Sequence, residues 1–204
     1  MALYLIIGIT VVVSLIAFNR RDIFDRLRFS AYAIKHDNQG WRFISYALLH
    51  AGWVHLFINM FVLYSFGEVV LIYFEHLFGG KGVLYFILLY LGGVIFSVLV
   101  DFGKHKDNPY YTAVGASGAV SAVVFSSIIL MPAAKLYLFF IPIPIPAAVF
   151  GILYLVYSAY QARRGHDNVG HNAHFWGAIF CFVFTIAIKA ALVLSFFEQI
   201  IELL

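Results

Sequence analysis

The sequence predicts an all-α polytopic membrane protein: a six-transmembrane-helix bundle forming one domain over residues 1–204. Three observations carry this. Of its 204 residues 63% are hydrophobic and 11% charged, where a soluble domain carries about 25% charged residues. The mean hydropathy is +0.93. Six separate stretches approach the roughly 20 apolar residues needed to cross about 30 Å of hydrocarbon. Backbone groups in lipid must be satisfied within the chain, and these runs are too long and unalternating for barrel strands, so helices follow.

The first span is expected at residues 2–18. It lacks a basic start and a small-x-small cleavage site, so it reads as a retained span rather than a signal peptide. Residues 19–49 form a long first loop in which Arg20, Arg21, Asp22, Asp25, Arg26, Arg28 and Lys35 alternate with Phe24, Phe29, Tyr32 and Trp41. Cations and rings mixed in this way suit an element lying in the membrane interface. The second span, 53–74, contains Glu68, and the third, 82–100, leads into a short polar loop at 101–111. The fourth, 113–133, is closed by Pro132. Residues 135–145 are apolar but carry Pro142 and Pro144, a link too broken for a helix. The fifth span, 146–162, is followed by a polar loop and a sixth span at 173–197, with Lys189 near its far end.

The net charge of +3 comes from loop cations and marks no nucleic-acid surface. The lone Cys181 lies in an apolar run, which leaves no disulfide framework and no Cys-based metal site. The first, third and fifth loops hold ten of the thirteen Lys and Arg, namely Arg20, Arg21, Arg26, Arg28, Lys35, Arg42, Lys104, Lys106, Arg163 and Arg164. The positive-inside rule places those loops in the cytoplasm.

Polar side chains in the apolar segments gather at one end of the bundle. Ser117 opens the fourth span within Gly115-Ala116-Ser117-Gly118. Its two glycines admit close approach by a helix or a substrate, and the unpaired amides of a first turn favour negative charge. His174 opens the sixth span, where a neutral imidazole could take a serine proton and return it to a leaving amine. His55 and Asn59, four apart on one helix face, could donate to an oxyanion; His50 sits at that helix mouth as a loop-fixing residue. Each has a structural alternative: a small-residue packing face for Ser117, a loop hydrogen bond for His174, an interhelical polar clamp for His55 and Asn59. Asp101, Asp107 and Asp167 are expected in loops, so the constellation reads as a Ser–His dyad without an acid. A zinc site on His171 and His174 would need His50 or His55 to converge. A transporter would spread its polar groups along a path across the bilayer, whereas these collect at one end.

The residues resemble the rhomboid intramembrane serine proteases. Four motifs appear in order: Trp41-Arg42, His50…His55…Asn59, Gly115-Ala116-Ser117-Gly118, and Asp167-Asn168-Val169-Gly170-His171…Ala173-His174…Gly177. The resemblance covers essentially the whole chain. It implies a serine endopeptidase that cuts in or beside the transmembrane helices of membrane-protein substrates, with Ser117 as nucleophile and His174 as base. His55, Asn59 and the Ser117 amide would form the oxyanion hole beside Gly115 and Gly118. Trp41 and Arg42 would brace the embedded loop, with His50, His171 and Gly177 in structural support. It further implies no metal or cofactor, a substrate route between the second and fifth spans, a cell (inner) membrane location, and an active site opening to the extracytoplasmic side. On orientation the resemblance opposes the charge count, and it is followed here. The family also includes inactive relatives that bind transmembrane helices, which is the alternative function. Some members carry, four residues after the nucleophile, a tyrosine that stacks on the catalytic histidine. Here that position is Ser121, and Phe175 or Trp176 is the expected substitute.

Overall fold

The computed structural model describes residues 1–138, 141–164 and 170–202, with backbone alone for 138, 141 and 142. The sequence segment Asp167-Asn168-Val169 lies outside the described residues. The protein is all-α apart from two short strand pairs among the described residues.

Helix α1 (Ala2–Asn19) ends where the first cation, Arg20, begins a run of charge. Then come α2 (Arg21–Leu27), strand β1 (Phe29–Ser30), α3 (Ala31–His36), α4 (Arg42–Ser45) and a 3-10 turn (Tyr46–Leu48). The first loop is thus a set of short helices. Helices α5 (Trp53–Phe78) and α6 (Gly82–His105) follow, joined by a turn at Gly79, whose φ of 55° suits glycine. Strand β2 (Thr112–Ala113) precedes α7 (Ser117–Leu130). Strands β3 (Lys135–Leu138) and β4 (Ile141–Pro146) lead to α8 (Ala147–Arg164), α9 (His171–Lys189) and α10 (Ala191–Ile201).

Helices long and apolar enough to cross a membrane occupy Ala2–Asn19, the tandem Trp53–His105, and His171–Lys189. Helix α7 is different. Its 14 residues rise about 21 Å, short of the hydrocarbon thickness. Every residue from Gly118 to Leu130 is buried, as expected of a helix apolar all round and enclosed by neighbours. Helices α5, α6 and α9 pack against it, with α8 and α10 in further contact. Its first residue, Ser117, is half-buried.

Small residues set the spacing. A Cβ on Gly177 of α9 would overlap the Gly118 carbonyl of α7, and one on Gly118 would overlap Ser97 of α6. Gly93 of α6 lies against Ala119 and Ala122 less tightly, a Cβ there meeting each at 3.0 Å. Three helices thus meet nearly backbone to backbone around Gly118, the close packing that small residues permit in membrane bundles.

Three segments differ from the sequence expectation. Residues 135–145 form a hairpin, β3 against β4, with Lys135 opposite Pro146 and Leu136 opposite Ile145. Pro142, Pro144 and Pro146 alternate with isoleucines that keep their amides, and the register is irregular between Leu136 and Leu138. The stretch 173–197 is two helices meeting at Ala190. Asp101, expected in a loop, lies within α6 and is buried.

Candidate active site

The loop before Ser117 is held by the first loop of the chain. Strand β1 pairs antiparallel with β2, Phe29 opposite Ala113 and Ser30 opposite Thr112. Two residues on, the Gly115 amide donates to the Tyr46 carbonyl at 3.1 Å. Tyr46 is fixed in turn, its hydroxyl donating to the Val94 carbonyl at 2.6 Å beside Ser97. The first loop is itself pinned by Arg42, which is buried and donates to Gln39 Oε1 (2.5 Å) and to the carbonyls of Asp25 (3.0 Å) and Arg28 (2.6 Å). Desolvation lowers the Arg42 pKa, yet the guanidinium stays charged. Trp41 beside it is half exposed and, with Ile23, Arg26 and Leu27, lines a shallow surface hollow. Lys35 and His36 bind Asp107 at 2.6 and 3.1 Å, tying α3 to the loop after α6, and hold that carboxyl below its usual range.

Gly115 has φ of 121°, open to glycine and strained for other residues. The missing side chain also leaves room for the His55 ring: a Cβ there would lie 2.8 Å from His55 Cε1 and 3.0 Å from Nε2. His55 Nδ1 accepts the Ala51 amide at 3.3 Å. That nitrogen carries no proton, so the neutral ring presents an Nε2–H donor on the side of Gly115 and Ser117. Asn59, one turn along α5, donates one amide hydrogen to the His55 carbonyl at 2.9 Å and lines the cavity described below.

His50 is almost wholly buried, behind His55, their rings meeting edge to face with centroids 4.9 Å apart. The Ser14 hydroxyl of α1 donates to the Leu48 carbonyl at 2.8 Å and lies 3.0 Å from His50 Nδ1. With its one proton committed to Leu48, Ser14 can only accept from His50. The His50 proton is therefore on Nδ1, and the buried Nε2 has no hydrogen-bond partner among the described residues. Burial, with His55 alongside, pushes the His50 imidazole down to about 3.

One cavity of about 920 Å³ collects these groups. His55, Asn59, Ser117, Ser121, Tyr154, Gly170 and His174 line it among apolar side chains of α5, α7 and α8 and residues Leu136 and Tyr137 of the hairpin. Ser117 is the first residue of α7, and the opening amides of that helix have no partner within it. His174 is on the first turn of α9, its amide bonded to the Gly170 carbonyl at 3.0 Å. His171, buried at the start of α9, meets His174 edge to face with centroids 6.0 Å apart. Asn172 donates to the buried Asp101 carboxylate, which fixes that turn to α6 and places negative charge at a helix start, where it is favoured. That carboxylate, after burial, also raises the pKa of the Tyr111 phenol.

The ring that faces His174 is Tyr154 of α8, centroids 6.2 Å apart and planes within 23°. Its hydroxyl lies 3.2 Å from the Ser121 hydroxyl. Phe175 and Trp176 instead pair edge to face with each other, 5.5 Å apart. Tyr154, Tyr46, Ser14 and the Asp101–Asn172 pair escaped the sequence reading. Asp101 had a faint signal, an acid ending an apolar run; Asn172 lies between His171 and Ala173, and all act through partners far off in sequence. Among the described residues no group of three or more His, Cys, Asp or Glu could hold a metal ion.

An apolar helical bundle with polar side chains converging on one internal cavity defines a polytopic membrane protein that sits in the bilayer. The rhomboid domain family model matches residues 37–191. RHOMBOID-like protein 12, mitochondrial, of Arabidopsis thaliana is 32% identical over 143 residues, covering 66% of this chain. The chain spans 42% of that relative's length. The chain belongs to the rhomboid family.

Proposed function

We propose that the protein is an intramembrane serine endopeptidase that hydrolyses peptide bonds in or next to transmembrane helices, with Ser117 and His174 as its dyad. The single observation that carries this is the convergence of Ser117, His174, His55 and Asn59 on one cavity. Ser117 Oγ attacks the scissile carbonyl carbon while the His174 imidazole takes its proton. The oxyanion that forms is met by the His55 Nε2–H, the Asn59 amide and the opening amide of α7. His174 then returns the proton to the leaving amine, and a water it activates releases the acyl group. Val54, Ile58, Phe61 and Phe150 make the cavity wall apolar, which fits a substrate segment arriving from lipid between α5 and α8. The reading needs no metal or cofactor.

Incubating the detergent-solubilised protein with a single-span substrate tests this. Cleavage lost in Ser117→Ala, by at least about 10³-fold given the weight of the nucleophile, and unaffected by a chelator is the expected result. Equal cleavage by the variant refutes the mechanism; binding without cleavage by either identifies a non-catalytic binder of transmembrane helices. We further place the protein, as a six-span domain, in the cell membrane with the cavity toward the extracytoplasmic side. A C-terminal reporter then reads cytoplasmic, and an extracytoplasmic reading contradicts that placement.

A further inference from the structure

We propose that Tyr154 is the positioning residue of the His174 imidazole, contributed through space from α8 rather than along α7; this rests on the reading of His174 as general base. The aromatic ring is held on three sides. Its hydroxyl reaches the Ser121 hydroxyl at 3.2 Å, Phe125 packs on it at 5.9 Å between centroids, and Phe150, one turn earlier on α8, does so at 5.8 Å. The remaining side meets His174 with nearly parallel planes. Offset aromatic pairs at this separation are attractive and orienting.

Ser121 is what makes the arrangement possible. It is one turn beyond Ser117 on the buried face of α7 and only 4% exposed. A small residue there leaves beside α7 the volume that Tyr154 fills, and its hydroxyl supplies the anchor. A bulky residue at 121 and the tyrosine at 154 exclude one another. The pair therefore acts as a unit: Ser121 sets the height of the phenol and Tyr154 the orientation of the imidazole. Tyr154 also lines the cavity, so the support of His174 depends on where α8 lies against α7 and α9.

The test compares wild type with Tyr154→Phe, Tyr154→Leu and the double variant Ser121→Tyr/Tyr154→Ala. Each is assayed for kcat, KM and pH profile on the single-span substrate, and for the imidazole resonances of His174 in isotope-labelled protein in micelles, assigned with His174→Ala. Leucine keeps apolar volume, so the Leu variant folds even where Ala does not. Tyr154→Leu is expected to lower kcat about tenfold, in the range for a misplaced catalytic group, with KM near wild type and a displaced pH profile. Tyr154→Phe, which keeps the ring, loses about twofold, an absent hydrogen bond being a modest loss. The double variant restores most of the kcat, because it puts a ring back beside His174 from α7. The His174 resonances move in Tyr154→Leu and stay in Tyr154→Phe. Unchanged kcat, pH profile and resonances in Tyr154→Leu overturn the proposal, as does a uniform loss in all three variants. A wild type that cleaves nothing refutes the catalytic reading alone; the resonances then decide the positioning claim by themselves.

Discussion

At positions 50 and 55 two imidazoles, 4.9 Å apart between ring centroids, are given different protonation patterns by their partners. The Ala51 amide occupies Nδ1 of His55 and leaves Nε2–H to donate. The Ser14–Leu48 pair holds the proton of His50 on Nδ1. The sequence spacing put His55 and Asn59 on one helix face, but it carried no sign of these tautomers, that of His50 depending on a hydroxyl 36 residues away in α1. His50 also makes stability depend on pH. Its pKa falls from 6.5 in the unfolded chain to about 3 in the folded one, so between those values the unfolded chain binds more protons. The contribution of neutral His50 is full above about pH 6.5 and is lost progressively as the pH drops toward 3. Thermal unfolding in micelles from pH 7 to 4 should show a falling midpoint, with a flatter dependence in His50→Gln. A His50→Gln curve that parallels wild type would show that other groups govern it.

At the scale of elements, the site is positioned by close helix contacts and by one strand pair. Gly118 and Gly177 bring α7 and α9 together so that the first turns bearing Ser117 and His174 open into one cavity. Gly177→Ala drives a methyl into the Gly118 carbonyl and has to push the helices apart. We predict a loss of about 1–3 kcal/mol, typical of overpacking, with activity falling more than stability alone explains. Denaturant midpoints and kcat measured together check this, and a variant with both at wild-type values would show that the contact yields freely. The glycines were legible as a packing motif. The β1–β2 pair and the Tyr46 carbonyl that hold the Ser117 loop were not, since two-residue strands have no periodicity to read. The hairpin at 135–146 was hidden by prolines that break a helix but, alternating with isoleucines, leave amides for strand pairing.

For the whole molecule, composition and apolar run length were enough for the all-α membrane class, because lipid leaves the backbone so few alternatives. Helix ends were less legible. The fourth apolar run is longer than α7, whose helix starts only at Ser117, and the sixth continues past a break at Ala190 into α10. Hydropathy cannot register a helix break within an apolar stretch. Nor could it find Tyr154, whose role comes from α8 packing beside α7 and α9 rather than from a motif. In the proposed mechanism the arrangement enclosing α7 matters to Ser117 because the donors at the start of that helix are oriented in advance toward the oxyanion its attack would form, which a surface hydroxyl lacks. The most direct measurement of that claim is labelling with a serine-directed fluorophosphonate, the modified residue located by mass spectrometry. Modification at Ser117 alone, abolished by His174→Ala, is the expected result. Labelling elsewhere, undiminished labelling of the His174→Ala protein, or none in a folded wild type would contradict it.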